Sequence, residues 1–178
     1  DFINGAKIVV VDCNLSQESI EWLCENVTSP IYVDPVSVAK VDRVKNVLDK
    51  IHTLKPNELE AELLTGIKIT DEATAREAAK ALNEKGVKNV YISLGAQGIL
   101  CAKEGEAVLV KPLAKEIVST NGAGDCSMAT LVWARFNHGE ELPLEEVGIY
   151  TQAAASINVE SPLVVSPELN VEEVLKRA

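Results

Sequence analysis

Val118-Ser119-Thr120-Asn121-Gly122-Ala123-Gly124-Asp125-Cys126-Ser127 is an apolar lead-in that runs into small residues and then into a long helical pattern, and this junction sets the fold. From Ala123 to Phe136 there is no Pro and no Gly after Gly124, while Met128, Leu131, Val132, Arg135 and Phe136 recur at helical spacing with mostly apolar character. The stretch is a loop opening onto a helix N-terminus, where unpaired backbone N–H groups collect. Gly122 and Gly124 keep side chains out of the way, so an anion can come close, and the helix dipole adds partial positive charge at the same end. Asp125 does not suit a resting anion site, because a carboxylate repels phosphate. It makes chemical sense as the group that takes a proton from a hydroxyl attacking that phosphate. Gly122-Ala123-Gly124-Asp125 equally suits a tight turn with an acidic first-turn residue, and it is not the Gly-x-x-x-x-Gly-Lys-Ser/Thr of a P-loop.

Upstream, strands and helices alternate. Asp1 to Gly5 is too short for an element, and Lys7 to Asp12 predicts a buried parallel strand. A chain that begins on a core strand is expected to be cut from something longer. Ser16 caps a helix reaching Asn26, with Ile20, Leu23 and Cys24 at helical spacing, and Pro30 to Asp34 is a second strand stopped by Pro35. Val41 to Ile51 predicts a helix with Val44, Val47, Leu48 and Ile51 on one face, and His52 to Leu54 a third strand. Asp71 to Gly86 is an amphipathic helix with Ala75, Ala78, Ala79 and Leu82 inward. Lys88 to Gly95 is a fourth strand; Ala96-Gln97-Gly98 turns into Ile99 to Ala102, and Glu104-Gly105 turns into Ala107 to Val110. After the central helix and its Asn137-His138-Gly139 cap come a helix from Leu144 to Val159, a rigid extended loop from Ser161 to Pro167, and a short helix from Val171 to Ala178. The alternation predicts one α/β domain over residues 1–178, a three-layer α/β/α sandwich with a mostly parallel sheet.

Open sheets of this kind bind ligands beyond the carboxyl ends of their strands. Asp12 and Asp34 fall there, each equally able to cap the next turn. So does Asn57-Glu58-Leu59-Glu60, where Asn57 and Glu60 share one helix face and could hold the water shell of a Mg²⁺, or simply form a capping box. Ser93-Leu94-Gly95 with Gly98 lets backbone approach a phosphate, and is also the chemistry of a hairpin turn. The alanines of the Leu144 to Val159 helix allow close approach by a flat ring or by another helix.

Composition narrows the partners. A formal net charge of −10 and no Lys/Arg-rich run argue against a nucleic-acid or anionic-membrane surface and favour a small molecule. Four cysteines without a CxxC read as buried free thiols in a reducing compartment rather than a zinc site. No apolar run reaches spanning length and no basic-start signal peptide is present, which predicts a cytoplasmic protein. No Gly-x-Gly-x-x-Gly follows the first strand, against a dinucleotide-binding domain.

The order Asn57-x-x-Glu60, Ser93-Leu-Gly95-x-x-Gly98, Thr120-Asn121-Gly122-Ala123-Gly124-Asp125 resembles the carboxyl-terminal half of the ribokinase (PfkB) family of sugar and nucleoside kinases, over nearly the whole chain. Asp34-Pro35-Val36-Ser37, Lys55-Pro56-Asn57-Glu58 and the Ser161 to Ser166 tail look most like the pseudouridine kinases within it. The resemblance implies ATP-dependent phosphorylation of a primary hydroxyl on a sugar or nucleoside, with ATP and Mg²⁺. Asp125 would be the base and the Gly122, Ala123 and Gly124 amides the anion hole. Asn57 and Glu60 would order magnesium through water, Ser93 and Gly95 would touch nucleotide phosphates, and Gly98 would relax the following turn. Thr151 and the Ala154/Ala155 surface would lie near adenine, with Asn121 in the phosphate loop. Ser119 stands where many members carry Asp, and Asn121 replaces a common Thr or Gly, in a loop that often holds a monovalent cation. That cation is the cofactor these departures count against. The resemblance also implies an amino-terminal part and a β lid that this sequence lacks, leaving the alternative of a catalytically incomplete nucleotide-binding fragment. A sheet edge exposed where the lid belongs would suggest a homodimer.

Overall fold

The computed structural model describes residues 2–178. Asp1 lies outside the described residues, so the segment expected to hold no element is seen only from Phe2 onward, and Ile3–Gly5 forms a single 3-10 turn. The chain clusters into two compact units, Asp1–Leu94 with Leu100–Val108, and Gly95–Ile99 with Leu109–Ala178.

In the first unit, β1 (Val9–Asp12), β2 (Ile31–Asp34), β3 (Thr53–Leu54) and β4 (Asn89–Ser93) pair in chain order, all parallel, with Val9 opposite Ile31, Tyr32 opposite Thr53 and Thr53 opposite Asn89. β5 (Ile99–Lys103) and β6 (Glu106–Val110) complete the six-stranded order β1-β2-β3-β4-β5-β6. The connection through residues 94–98 is too short for a parallel crossover, so β5 turns back on β4 and the sheet is mixed. Between β5 and β6, Glu104 (φ 49°) and Gly105 (φ 86°) take the paired left-handed conformation of a two-residue hairpin.

Local signals set most of the helices. Ser16 accepts from the Ser19 N–H and starts α1 (Gln17–Asn26), which buries Ile20 and Cys24. Asp71 and Thr74 form a reciprocal cap on α3 (Glu72–Glu84), whose Ala75, Ala78, Ala79 and Leu82 are all fully buried. Between them, α2 (Glu58–Thr65) starts at Asn57 and ends on left-handed Gly66. In the second unit, α4 (Ala123–His138) packs on α5 (Leu144–Val159), and α6 (Val171–Arg177) sets Val174 against Ala153, Ala154 and Ile157. Phe136, which falls on the apolar spacing of α4, is exposed.

Three expectations need correction. Val41–Lys50 is a 3-10 helix with a break at Val47 (φ −129°, ψ 17°), not an α-helix. Val41, Val44 and Val47 recur every third residue, which aligns on a helix of three residues per turn, and all are buried. The first strand is shorter than Lys7 to Asp12 and half exposed, with Val11 buried and Val10 facing out, because β1 is an edge strand. Residues 161–165 bend continuously instead of running extended.

In the 178-residue chain, Val10→Lys is expected to change stability by less than about 0.5 kcal/mol, as for other exposed positions. Val11→Lys, which buries a charge, should cost about 3 kcal/mol or more by denaturant unfolding. Equal costs would contradict the half-exposed edge.

Candidate active site

The carboxyl ends of β2, β3 and β4 gather the polar groups of the first unit. Asp34 closes β2, with Oδ1 accepting the Val36 N–H at 2.9 Å and Oδ2 held by Lys55 Nζ at 2.8 Å. Lys55, directly after β3, is only 4% exposed. The strand-end pattern points to Asp34 but not to Lys55, for which a lysine wedged between a core strand and Pro56 is the available signal. The intervening turn is strained, since Ser37 N–H donates to Pro35 O at 2.8 Å and Val36, a β-branched residue, sits at φ 67°.

Asn57 and Glu60 form the reciprocal cap of α2: Glu60 N–H donates to Asn57 Oδ1 and Asn57 N–H to Glu60 Oε2, both at 2.9 Å. Glu60 is 2% exposed. Burial first, then the Asp34 charge, holds its carboxyl above the usual range, against the opposing pull of the Asn57 N–H and Lys55. Burial, helped by Asp34 and Asp12, likewise pushes the Cys13 thiol up to about 12. Ser93, at the end of β4, donates its N–H to Pro56 O at 2.9 Å and bridges Asn57, so three predicted residues come together here. Lys55 is paired with Asp34, and the Asp34 charge and burial both disfavour the charged form of Glu60, an effect that an added cation relieves. No group of three or more His, Cys, Asp or Glu suited to a metal occurs among the described residues. Asn57 and Glu60 offer two side-chain oxygens on one helix start, a donor set compatible with a Mg²⁺ that keeps its waters.

The second unit holds the start of α4. Gly122 is its N-cap at φ 75°, a conformation open to glycine. A Cβ there would lie 2.0 Å from Val164 O, so the bent 161–165 segment requires the missing side chain as well. Among the described residues, the N–H groups of Gly122, Gly124 and Asp125 donate no hydrogen bond within the chain, whereas Ala123 N–H reaches Thr120 O at 3.3 Å. The free donors are thus 122, 124 and 125, a set that keeps 122 and 124 of the expected 122 to 124 and has 125 in place of 123. Asp125 is exposed, and its carboxylate has no hydrogen bond or ion pair within the described chain. Burial, helped by Asp125, raises the neighbouring Cys126 thiol. Ahead of the glycines, Ser119 Oγ accepts Asn121 N–H at 3.3 Å.

The other predicted contacts are spread out. Gly95 is exposed at φ 53°, and its carbonyl accepts Gly98 N–H at 3.1 Å. Gly98 is buried, and a Cβ on it would meet Val110 O at 2.0 Å, so its backbone packs on β6. Thr151 is fully buried, with its hydroxyl donating to Val147 O at 2.8 Å; Ala155 is half-buried.

A family model described as pfkB family carbohydrate kinase matches residues 3–170. The chain is 32% identical over 98% of its length to pseudouridine kinase of Escherichia coli (strain K12), covering 56% of that protein. It spans about half the length of the curated relatives it matches. It superposes with a TM-score of 0.83 and 27% identity on Arabidopsis thaliana ribokinase complexed with ribose and ATP, over 98% of this chain and 56% of that one. Thermotoga maritima ribokinase, at 23% identity, shares the fold with a TM-score of 0.85 over 99% of this chain and 58% of that one. The architecture is therefore the three-layer α/β/α sandwich read from the alternation of elements.

Two expectations arise from the geometry. A carboxyl whose pKa is raised by folding binds its proton more tightly in the native state, so stability falls as pH rises from the unfolded value, about 4.3, through the raised one. Glu60→Gln, which keeps an acceptor for Asn57 N–H, should melt higher than wild type above that window and at the same temperature below it. A wild type that melts higher at neutral pH would contradict the burial cost. Gly122→Ala should cost about 2 kcal/mol or more, against about 1 kcal/mol for Gly95→Ala, where nothing lies within 4 Å. Equal costs would mean that Val164 is not pressed against Gly122.

Proposed function

The chain belongs to the pfkB family of carbohydrate kinases, and from that premise we propose that the protein transfers the γ-phosphoryl group of ATP to a primary hydroxyl of a sugar or nucleoside resembling pseudouridine. The observation that carries the reading is an exposed, unpartnered carboxylate, Asp125, on the turn where three N–H groups have no acceptor. Such donors stabilise negative charge on a phosphoryl group in transfer without reorganising, while the carboxylate accepts the proton of the attacking hydroxyl. Asp125 takes the proton as the alkoxide forms beside the phosphoryl group.

Asn57 and Glu60 hold magnesium through its waters in this proposal, the excess of carboxylate over ammonium around Lys55 supporting a cation there. Ser93 and Gly95 offer backbone to the nucleotide phosphates. Asn121 shapes the phosphate loop, Ala155 presents a flat surface to adenine, Thr151 packs behind it, and Gly98 fixes the hairpin. Residues 1–178 form the nucleotide-binding α/β half of the enzyme. Ser119 is uncharged and accepts the Asn121 N–H, which weighs against a monovalent cation in this loop. Cys13, Cys24, Cys101 and Cys126 are all buried, in keeping with a reducing cytoplasm, and no helix of the described residues is long and apolar enough to cross a membrane.

Asp125→Ala, in the protein at its natural length, should lower phosphate transfer to pseudouridine or ribose about a thousandfold while Mg-ATP still binds by calorimetry. Replacing potassium by tetramethylammonium should leave the wild-type rate unchanged. A variant that keeps most of the activity would overturn the assignment of the base, and a requirement for potassium would overturn the cation claim.

A further inference from the structure

We propose that Asn158, in the last turn of α5, is a positioning residue that locks the Asn121–Gly122 peptide and so aims the Gly122 N–H. The inference rests on the kinase reading above for its catalytic consequence and on geometry for the lock itself. Asn158 is fully buried and uses both ends of its amide: Nδ2 donates to Asn121 O at 2.9 Å, and Oδ1 accepts Ser166 N–H at 2.9 Å. Its side chain thereby ties two loops that are not neighbours in sequence. One carries the glycines of the α4 turn, and the other carries Val164, whose carbonyl lies where a Gly122 side chain would be.

A peptide unit is planar and trans, so its C=O and N–H point in opposite directions. Holding the Asn121 carbonyl toward Asn158 fixes the Gly122 N–H away from it, as one of the three donors that find no acceptor in the chain. Without that tie the peptide can turn over at low cost, because glycine tolerates either sign of φ. The rest of the loop is held elsewhere: Val159 O accepts Val118 N–H at 2.8 Å and Ser119 N–H at 3.1 Å, and Glu160 Oε1 accepts Lys115 N–H at 2.8 Å. Residues 115–119 therefore stay anchored to the end of α5 when Asn158 is altered, and the effect is confined to the peptide that it grips.

The test uses Asn158→Asp, which can still accept from Ser166 N–H but has no donor for Asn121 O, beside Asn158→Ser, which is too short to span the two loops and leaves no buried charge. For the protein at its natural length, kcat should fall about a hundredfold in either variant, with the KM for ATP nearly unchanged, as for a displaced transition-state donor. Amide hydrogen exchange at Ser166, whose N–H loses its acceptor in Asn158→Ser and keeps it in Asn158→Asp, should rise about tenfold in Asn158→Ser alone, relative to Val118 and Ser119, the amount expected for one lost hydrogen bond. Unchanged kcat in a folded variant, or exchange that rises alike across residues 115–125, would overturn the proposal. A wild type that transfers no phosphate would remove the kinase reading instead, and the exchange pattern would still decide the lock.

Discussion

A carboxylate and a phosphate can share a turn only where fixed positive dipoles outweigh their repulsion. At ordinary distances two unit charges in a partly solvated site repel by about 4 kcal/mol, so the donors must be oriented before the anion arrives. In the proposed kinase the start of α4 would meet that requirement with peptide groups alone. Gly122 in a left-handed conformation turns the chain, Gly124 keeps the surface open, and three N–H groups are left without acceptors. Much of the second unit maintains this arrangement: the bent 161–165 segment lies against Gly122, and Asn158 grips the carbonyl before it. Helix α6 in turn anchors that end of α5, through Val174 in the apolar cluster and Arg177 on Glu160 at 2.7 Å.

The first unit handles the opposite charge problem. Asp34, Glu60 and Lys55 are drawn out of water at the ends of parallel strands, and a buried ion pair of this kind rarely stabilises a fold on its own account. The cost is visible in the Glu60 carboxyl, which burial pushes toward its neutral form. Of the two interpretations of Asn57 and Glu60 left open by the sequence, the hydrogen bonds show the capping box, while the hold on a magnesium water shell belongs to the proposed function.

What was legible in the sequence was local. The caps at Ser16, Asn57 and Gly139, the alanine face of α3 and the glycine entry to α4 are signals carried within a turn or two of chain, and the structure reproduces them. The exposure of β1 was not legible, since an apolar run reads alike at the edge and in the middle of a sheet, and only strand order separates them. The valines at 41, 44 and 47 fit an α-helical face and a 3-10 face equally well over so short a span. Lys55 and Asn158 escaped notice for a third reason. Each acts on a partner far away in sequence, 37 residues in the case of Asn158 and Asn121, and no local pattern encodes such a pairing.

The most direct measurement is a crystal structure of the protein at its natural length with Mg²⁺ and a non-hydrolysable ATP analogue. Phosphate oxygens should lie within about 3 Å of the Gly122, Gly124 and Asp125 amides, with the Asp125 carboxylate facing open space beyond the terminal phosphate. An analogue bound elsewhere, or an Asp125 carboxylate engaged in an ion pair away from the phosphates, would contradict it.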